Sequence, residues 1–528
     1  MKPFAAPLDD ILFSLEYMAG APRLTDWDGD FAAEIAGHFA SFAEAEIAPL
    51  DEAGDRQGCT LTDGRVAMPN GFADVYKAYA EQGWSGLTAP VEFGGQGVGA
   101  VILAMTSEIF SGACHSLQMV TGLVPGAIRT LVRFGTEDQK ARLIPPLASG
   151  QTLATMCLTE PGAGSDVSNI RCKAVPDGTD WRINGAKIFI SGGDQNLSAD
   201  ILHLVLARTS DDGVRGLSLF LCGDKIGNAR KTMTVTRIEQ KMGLHASPTC
   251  QLAFNGAQAE MIGKEGEGLR AMFTMMDHAR LDVALQGVAH AARAYDLASA
   301  YAAERVQGRG PDGAAATLDQ HADVARMLDQ IDALALGGRA ITHLALVTLE
   351  AGDNPDLVEF LTPIAKVYCS EAGMKAAEVG MQVLGGYGYL SEYRLEQTYR
   401  DARITAIYEG ANGIHARALA ERFLQGPNAR CADAFDTFLT GHPDISDSLA
   451  IWREARAVVA KARNPSALAH DFMRLTADTM LHAMWTLFAE AAARHSDPAR
   501  ITRLADRQIA RIRATLPGRL SLISAGWQ

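Results

Sequence analysis

A mainly α-helical chain with a central β domain and an appended helical unit is the fold class that the sequence predicts, on three observations. The hydrophobic period is helical from Asp26 to Gly150, strand-like from Leu153 to about Asn255, and helical again after Gly268. The 528 residues are 48% hydrophobic and 21% charged, enough to bury more than one core. Helix-capable sequence continues beyond the Gly426-Pro427 stop to the end of the chain. These changes of period divide the chain into an N-terminal helical domain (1–152), a middle β domain (153–266), a helical bundle (267–427) and a C-terminal helical unit (428–528).

In the first domain the helical segments Phe31 to Ile47 and Gly71 to Gln82 are followed by turns at Ala89-Pro90 and Phe93-Gly94-Gly95. Seven short β-rich runs come next: Leu153 to Leu158, Trp181 to Ile183, Lys187 to Ser191, Ile201 to Ala207, Leu217 to Leu221, Thr232 to Arg237 and Gln251 to Phe254. They predict a small antiparallel barrel or sandwich, with a type I′ hairpin turn at Asn184-Gly185. Apolar residues then recur at three- and four-residue spacing from Leu281 to Tyr295 and from Val324 to Leu334, which predicts the long helices of a four-helix bundle. Thr362-Pro363 reads as an N-cap and first helical position, opening a helix that runs to Gly385-Gly386. A helix from about Ile414 ends at Gly426-Pro427, and helices over Ile451 to Ala462, Leu468 to Arg494 and Asp497 to Leu516 complete the chain.

Composition narrows the function. A net charge of −14 disfavours a polyphosphate partner, so nucleic acid is not expected. The eight cysteines form no CxxC pair and stand near no histidine pair, which predicts neither a disulfide framework nor a metal site. No basic n-region with an apolar stretch opens the chain, and no window holds the roughly 18 uninterrupted apolar residues of a membrane span; a cytoplasmic location is the expectation. HExxH, GxSxG, P-loop and Rossmann patterns are missing.

Three glycine-bearing segments remain. Leu158 to Asp166 follows a strand, and its small residues would let backbone N–H groups approach a phosphate or a flavin ring, although a plain strand exit reads the same way. Gln382 to Gly388 lies at a helix C-terminus and could equally be a helix cap. In Ile407-Tyr408-Glu409-Gly410-Ala411-Asn412-Gly413, apolar flanks would desolvate Glu409 and raise its pKa toward that of a useful base, while a solvated surface carboxylate is the plainer alternative.

Taken in order, these segments resemble the acyl-CoA dehydrogenase family. The resemblance runs from Gly83 to Leu87 and Phe93 to Gly97 through Gly135-Thr136 with Gln139-Lys140, Leu158 to Asp166, Asn184 to Ser191 and Lys241-Met242-Gly243. It continues through Asp277 to Arg280, Glu304-Arg305 and Gln382 to Gly388, and ends at Tyr408-Glu409-Gly410. The wording is most similar to the longer bacterial branch that includes 3-methylmercaptopropionyl-CoA dehydrogenases, through Lys187 to Ser191, Lys241 to His245, Ala279 to Leu281 and Glu304 to Arg309.

The resemblance implies that Glu409 takes the α-proton of an acyl-CoA thioester while the β-hydrogen leaves as hydride to FAD, giving a trans-2-enoyl-CoA. Oxyanion donors would be worth roughly 3 to 4 kcal/mol each. It further implies flavin contacts from Met156, Leu158, Thr159, Gly164 and Ser165, a flavin wall of Phe189, Ile190 and Ser191, and FAD contacts from Arg305, Gln382, Val383, Gly385, Gly386, Ala411 and Gly413. Ser165, Asp277, Arg280 and Gly410 would meet the CoA thioester. Phe189 and Ser191 stand where tryptophan and threonine are usual, and Ala411 and Gly413 replace a hydroxyl residue and a glutamine. An electron-transferring flavoprotein and a homodimer or homotetramer are the implied partners. The alternatives are an acyl-CoA oxidase, and a DNA-associated flavoprotein of the same fold suggested by the seven arginines of Arg494 to Gln528, a tail of net +5 on a body of −19.

Overall fold

The computed structural model describes residues 2–526 apart from 224, 227, 228, 231, 311 and 312, and only the backbone of 225, 226, 229, 230, 277 and 443. Its principal helices are α1 (Gly29–Phe42), α2 (Phe72–Glu81), α3 (Ala100–Thr121), α4 (Val124–Phe134), α5 (Glu137–Ala148), α6 (Gly268–Glu304), α7 (Ala322–Ala351) and α8 (Pro355–Leu384). There follow α9 (Asn412–Arg417), α10 (Ala429–Thr440), α11 (Ser446–Lys461), α12 (Pro465–Ala491) and α13 (Pro498–Ala525). The main sheet contains β1 (Thr152–Cys157), β2 (Lys173–Asp177), β3 (Asp180–Ser191), β4 (Asp200–Arg208), β5 (Leu217–Gly223), β6 (Met233–Ile238) and β7 (Thr249–Ile262). Packing divides the chain into two compact units, one of Met1–Glu44, Ala100–Gly112 and Arg280–Gln528, the other of Ala45–Gly99 and Ala113–Ala279.

In the second unit five strands close on themselves. β3 pairs with β2 and β7, β7 with β5, β5 with β4, and β4 returns to β2 through the parallel bridge of Lys173 with Arg208. Register shifts at Cys250/Leu252 and Asn255/Ala257 bend the 14-residue β7, so that it can serve first β3 and then β5. The expected all-antiparallel pairing is corrected: β1 also runs parallel to β4. The reason is visible in β4, where Ile201 to Ala207 is buried on both faces without alternation, the pattern of a covered strand.

The hairpin turn expected at Asn184-Gly185 is also corrected, because β3 runs straight through both residues. The turn lies earlier, where Asp177 pairs with Asp180 and Gly178 supplies φ +66°. Gly185 serves a close approach instead: a Cβ there would lie 2.8 Å from Cys172 Cα. Asn184 Oδ1 accepts from Gly256 N at 2.8 Å, tying β3 to the bulge in β7. Strand β2 carried no sequence signal. The Gly135-Thr136 with Gln139 wording is a capping box that opens α5, with Thr136 Oγ1 accepting from Gln139 N and Gln139 Oε1 from Thr136 N.

In the first unit α6, α7 and α8 pack through an alanine-rich core that includes Ala291, Ala294, Ala298, Ile331, Ala376 and Ala377. Small residues allow contact of backbone on backbone: a Cβ at Gly287 would lie 2.3 Å from the Cys369 carbonyl oxygen. The expected helix start at Thr362-Pro363 is corrected. α8 begins at Pro355 under an Asn354 cap whose Oδ1 accepts from Leu357 N at 3.1 Å. Pro363 sits inside the helix, and the Thr362 hydroxyl donates to the Val358 carbonyl at 2.8 Å.

The C-terminal helices belong to the same unit. Phe360 of α8 meets Phe435 of α10 at 4.8 Å between ring centroids, and Phe435 meets Trp452 of α11 at 5.1 Å. The basic tail is largely internal electrostatics: Arg500 pairs with Asp10 and Asp332, Arg503 and Arg507 with Asp329, and Arg519 with Asp478. Helices α3 and α7 have the length and mean hydropathy of membrane spans, yet the qualifying windows are 78% and 94% buried within the protein.

Candidate active site

Glu409 lies in the connection before α9, with φ +51°, a conformation disfavoured for a residue with a side chain. Two side chains hold that backbone. His415 Nε2 lies 3.0 Å from the Glu409 carbonyl, and Lys366 Nζ donates to the Gly410 carbonyl at 2.7 Å and to Asn412 Oδ1 at 2.9 Å. Gly410, at φ +92°, leaves room for the imidazole, since a Cβ would lie 2.7 Å from His415 Nε2. Burial drives His415 down to about 4, so at neutral pH the ring is uncharged and Nε2–H donates to the carbonyl.

Glu409 is half-buried, and its Oε2 is shielded from solvent and has no hydrogen-bond partner. Burial pushes its pKa up, Arg280 and Lys366 pull it back, and Asp282 adds to the rise. Burial lowers Lys366 to about 8 against the pull of Glu409. Tyr408 donates its hydroxyl to Gln286 Oε1, which ties the connection to α6. The first unit therefore assembles a desolvated carboxylate beside two cations, the arrangement of a tuned base.

In the second unit the segment after β1 forms a tight turn, with Glu160 N and Ala163 N each bonded to the other residue's carbonyl at 3.0 Å. The buried Glu160 carboxylate accepts from Arg171 N, Cys172 N and Lys187 Nζ, and Lys187 Nζ also donates to the Leu158 carbonyl at 3.0 Å. A Cβ at Gly162 or Gly164 would meet nothing within 4 Å, so this backbone stands open. Met156, Leu158 and Thr159 are half-buried, and Ser165 is exposed. Ile188 N donates to the Thr159 carbonyl, which sets the end of β3 beside this turn. There Phe189 adopts φ +58° and is 60% exposed, while Ile190 is buried and Ser191 half-buried. A large exposed aromatic on a rigid strand is a surface suited to a planar ligand.

Arg305 and the corner after α8 come together in the first unit: its guanidinium lies 5.9 Å from the Tyr387 ring centroid, next to the exposed Gly385 and Gly386. Gln382 is exposed, whereas the Val383 side chain belongs to the helical core and leaves only its backbone for a ligand. Ala411 caps α9, and Gly413 is exposed in its first turn. Arg280 is half-buried on α6; the side chain of Asp277, on the same helix, lies outside the described residues. Residues 311 and 312 of the glycine-rich loop Gly308 to Ala316 also lie outside them.

Lys366, His415, Asn412, Glu160 and Lys187 were not singled out from the sequence. A signal existed for two of them. Lys366 and Lys187 are solitary cations among apolar neighbours, in Ile364-Ala365-Lys366-Val367 and Ala186-Lys187-Ile188. A lysine at such a position needs a buried partner.

Sequence profiles of the acyl-CoA dehydrogenase N-terminal, middle and C-terminal domains match residues 32–151, 155–257 and 266–424. A 3-methylmercaptopropionyl-CoA dehydrogenase of Ruegeria pomeroyi is 38% identical over 90% of this chain and 85% of its own length. The structure of butyryl-CoA dehydrogenase from Megasphaera elsdenii superposes with a TM-score of 0.66 at 25% identity, over 76% of this chain and 99% of that one. An acyl-CoA dehydrogenase of Bacillus anthracis complexed with FAD shares the fold at 21% identity, with a TM-score of 0.75 over 94% of this chain and 88% of that one. This chain belongs to the acyl-CoA dehydrogenase family of oxidoreductases.

Proposed function

We propose that the protein is an FAD-dependent acyl-CoA dehydrogenase that converts an acyl-CoA to a trans-2-enoyl-CoA, with Glu409 as the base and an electron-transferring flavoprotein as the final electron acceptor. The observation that carries this reading is the buried Glu409 carboxylate, whose Oε2 lacks a hydrogen-bond partner. A carboxylate so desolvated is a stronger base than one in water.

The residues fit a flavin. The open backbone at Gly162 and Gly164 would accept a pyrophosphate or ring edge, the exposed Phe189 ring offers an aromatic wall, and Arg305 with Gly385 and Gly386 would hold the adenosine end. When bound, FAD supplies the hydride acceptor for the β-hydrogen. Glu409 takes the α-proton onto its carboxylate, and the departing C–H electron pair becomes the new α,β double bond as the β-hydride leaves. The Glu409 backbone N–H would donate to the thioester oxygen as charge builds there. Arg280 keeps a positive field near both the carboxylate and the CoA side.

The test is Glu409→Gln, which retains shape and removes the base. The variant should bind FAD with an ordinary flavin spectrum, and anaerobic reduction by butanoyl-CoA or 3-(methylsulfanyl)propanoyl-CoA should fall by at least about 10³-fold. The thioether substrate belongs in the panel because of the Ruegeria relative. Near-normal reduction of the variant would remove Glu409 from the role. An electron-transferring flavoprotein should support turnover of the wild type far faster than oxygen does.

A further inference from the structure

We propose that Lys366 is the positioning residue of the site: its ammonium holds the Gly410 carbonyl and the Asn412 side chain, so that the Glu409 carboxylate keeps one orientation beside a fixed cation. The inference rests on the reading of Glu409 as the base. Lys366 is fully buried in the middle of α8, and a buried ammonium is retained only where partners repay its lost hydration. Its two partners at 2.7 and 2.9 Å both belong to the connection that carries Glu409. Asn412 is fixed in turn, because its Nδ2 donates to Ser370 Oγ at 3.0 Å, one turn further along α8. With His415 on the Glu409 carbonyl, two consecutive carbonyls of a strained connection are each held by a side chain. Without such clamps a residue at φ +51° would relax toward the ordinary helical or extended basins.

The clamp also carries charge. The ionisable groups acting on Glu409 are Arg280 and Asp282 from α6 and Lys366 from α8, with Glu371 acting on Lys366 from the same helix. Tyr408 lies in the connection itself, and His415 of α9 is neutral. Removing Lys366 leaves Arg280 to oppose both burial and Asp282. The carboxylate then holds its proton to higher pH, and the base form appears later on the pH scale.

The experiment compares Lys366→Met and Lys366→Gln with the wild type and with Glu409→Gln. Flavin reduction by butanoyl-CoA is followed anaerobically from pH 6 to 9 in the FAD-loaded proteins. Lys366→Met, which keeps the stem and loses both donor and charge, should bind FAD, should reduce it roughly 100-fold more slowly, and should move the rate midpoint upward. Lys366→Gln, which restores a donor without charge, should recover part of the rate and keep the displaced midpoint. Asn412→Ala removes one partner while leaving the lysine charge in place, so it should slow reduction without moving the midpoint; it tests the clamp if the lysine variants do not fold, and an unchanged rate then overturns the proposal. A midpoint unmoved in the folded Lys366 variants overturns the proposal. If Glu409→Gln is inactive while the Lys366 variants match the wild type, only the role of Lys366 fails; if Glu409→Gln is active, the reading of the base fails first.

Discussion

Replacing Arg339 by methionine should destabilise the protein by several times the roughly 1 kcal/mol of an average point substitution. Arg339 is completely buried on α7, and its Nε and Nη2 donate to the same Glu108 oxygen at 2.9 and 2.7 Å. The other oxygen, Glu108 Oε2, has no hydrogen-bond partner and lies 3.7 Å from His343 Nε2. Burial pushes the Glu108 carboxyl up, and the Arg339 guanidinium with His343 more than offsets that push, so its pKa stands below the ordinary value. Burial, with the nearby Arg339 charge, keeps His343 itself below its usual value in the wild type. Methionine fills much of the arginine volume, so the loss is mainly an uncompensated buried carboxylate, about 3 to 5 kcal/mol. Adding Glu108→Gln to Arg339→Met should return about half of that loss, because removal of both charges is far less costly than removal of one.

The assay is urea unfolding at fixed protein and FAD concentrations, followed by far-ultraviolet circular dichroism. The sign of the pH dependence is a second check. In the wild type the folded pKa of Glu108 is depressed, so its contribution is full above the unfolded value and is lost as pH falls through the folded one. In the variant burial is opposed by His343 without the guanidinium and the folded pKa rises, so the penalty is greatest at neutral pH and relaxes on acidification. The gap between the two proteins should therefore narrow from pH 7 toward pH 4. A loss below 1 kcal/mol at pH 7, or a double variant no more stable than the single one, would refute the reasoning.

Lys187→Met should leave the Glu160 carboxylate buried without its cation and loosen the turn of residues 160–163, raising the Kd for FAD by about tenfold; unchanged flavin affinity in a titration would separate that turn from the cofactor. Gly287→Ala should cost about 3 kcal/mol or more, because its Cβ meets the backbone of α8 at 2.3 Å, whereas Gly37→Ala, with open space inside α1, should gain about 0.5 kcal/mol; thermal melts of the pair would show it, and equal melting temperatures would contradict the packing argument.

Local signals were legible where their cause is local. The period of Leu281 to Tyr295 and the exit turn after β1 depend on residues within a few positions of one another, and the helix and the loop follow them. Asn184-Gly185 misled because an Asn-Gly pair favours a turn only when the strand is free to stop. Here β3 continues, its neighbours β2 and β7 pairing on both sides, and the glycine is needed for the approach of Cys172. Thr362-Pro363 misled in the same way, since the Asn354-Pro355 cap opens the helix earlier and packing carries it past the second proline. The segment containing Glu409 was found from its apolar flanks and glycines. Its clamps were not, because Lys366 stands 44 residues from Gly410, and a cation in an apolar run does not name its acceptor.

By itself, then, the sequence determined the helical, β, helical order and the family to which the chain belongs. It also showed a basic tail on an acidic body. Only the tertiary structure decided what each buried charge faces: Lys366 the connection at Gly410, Lys187 the Glu160 turn, Arg339 a glutamate 231 residues away, and Arg500 the aspartates of two distant segments. Hydrophobic period and capping are short-range properties of the chain. The partner of a buried ion is set by desolvation, which acts only once distant elements have closed around it.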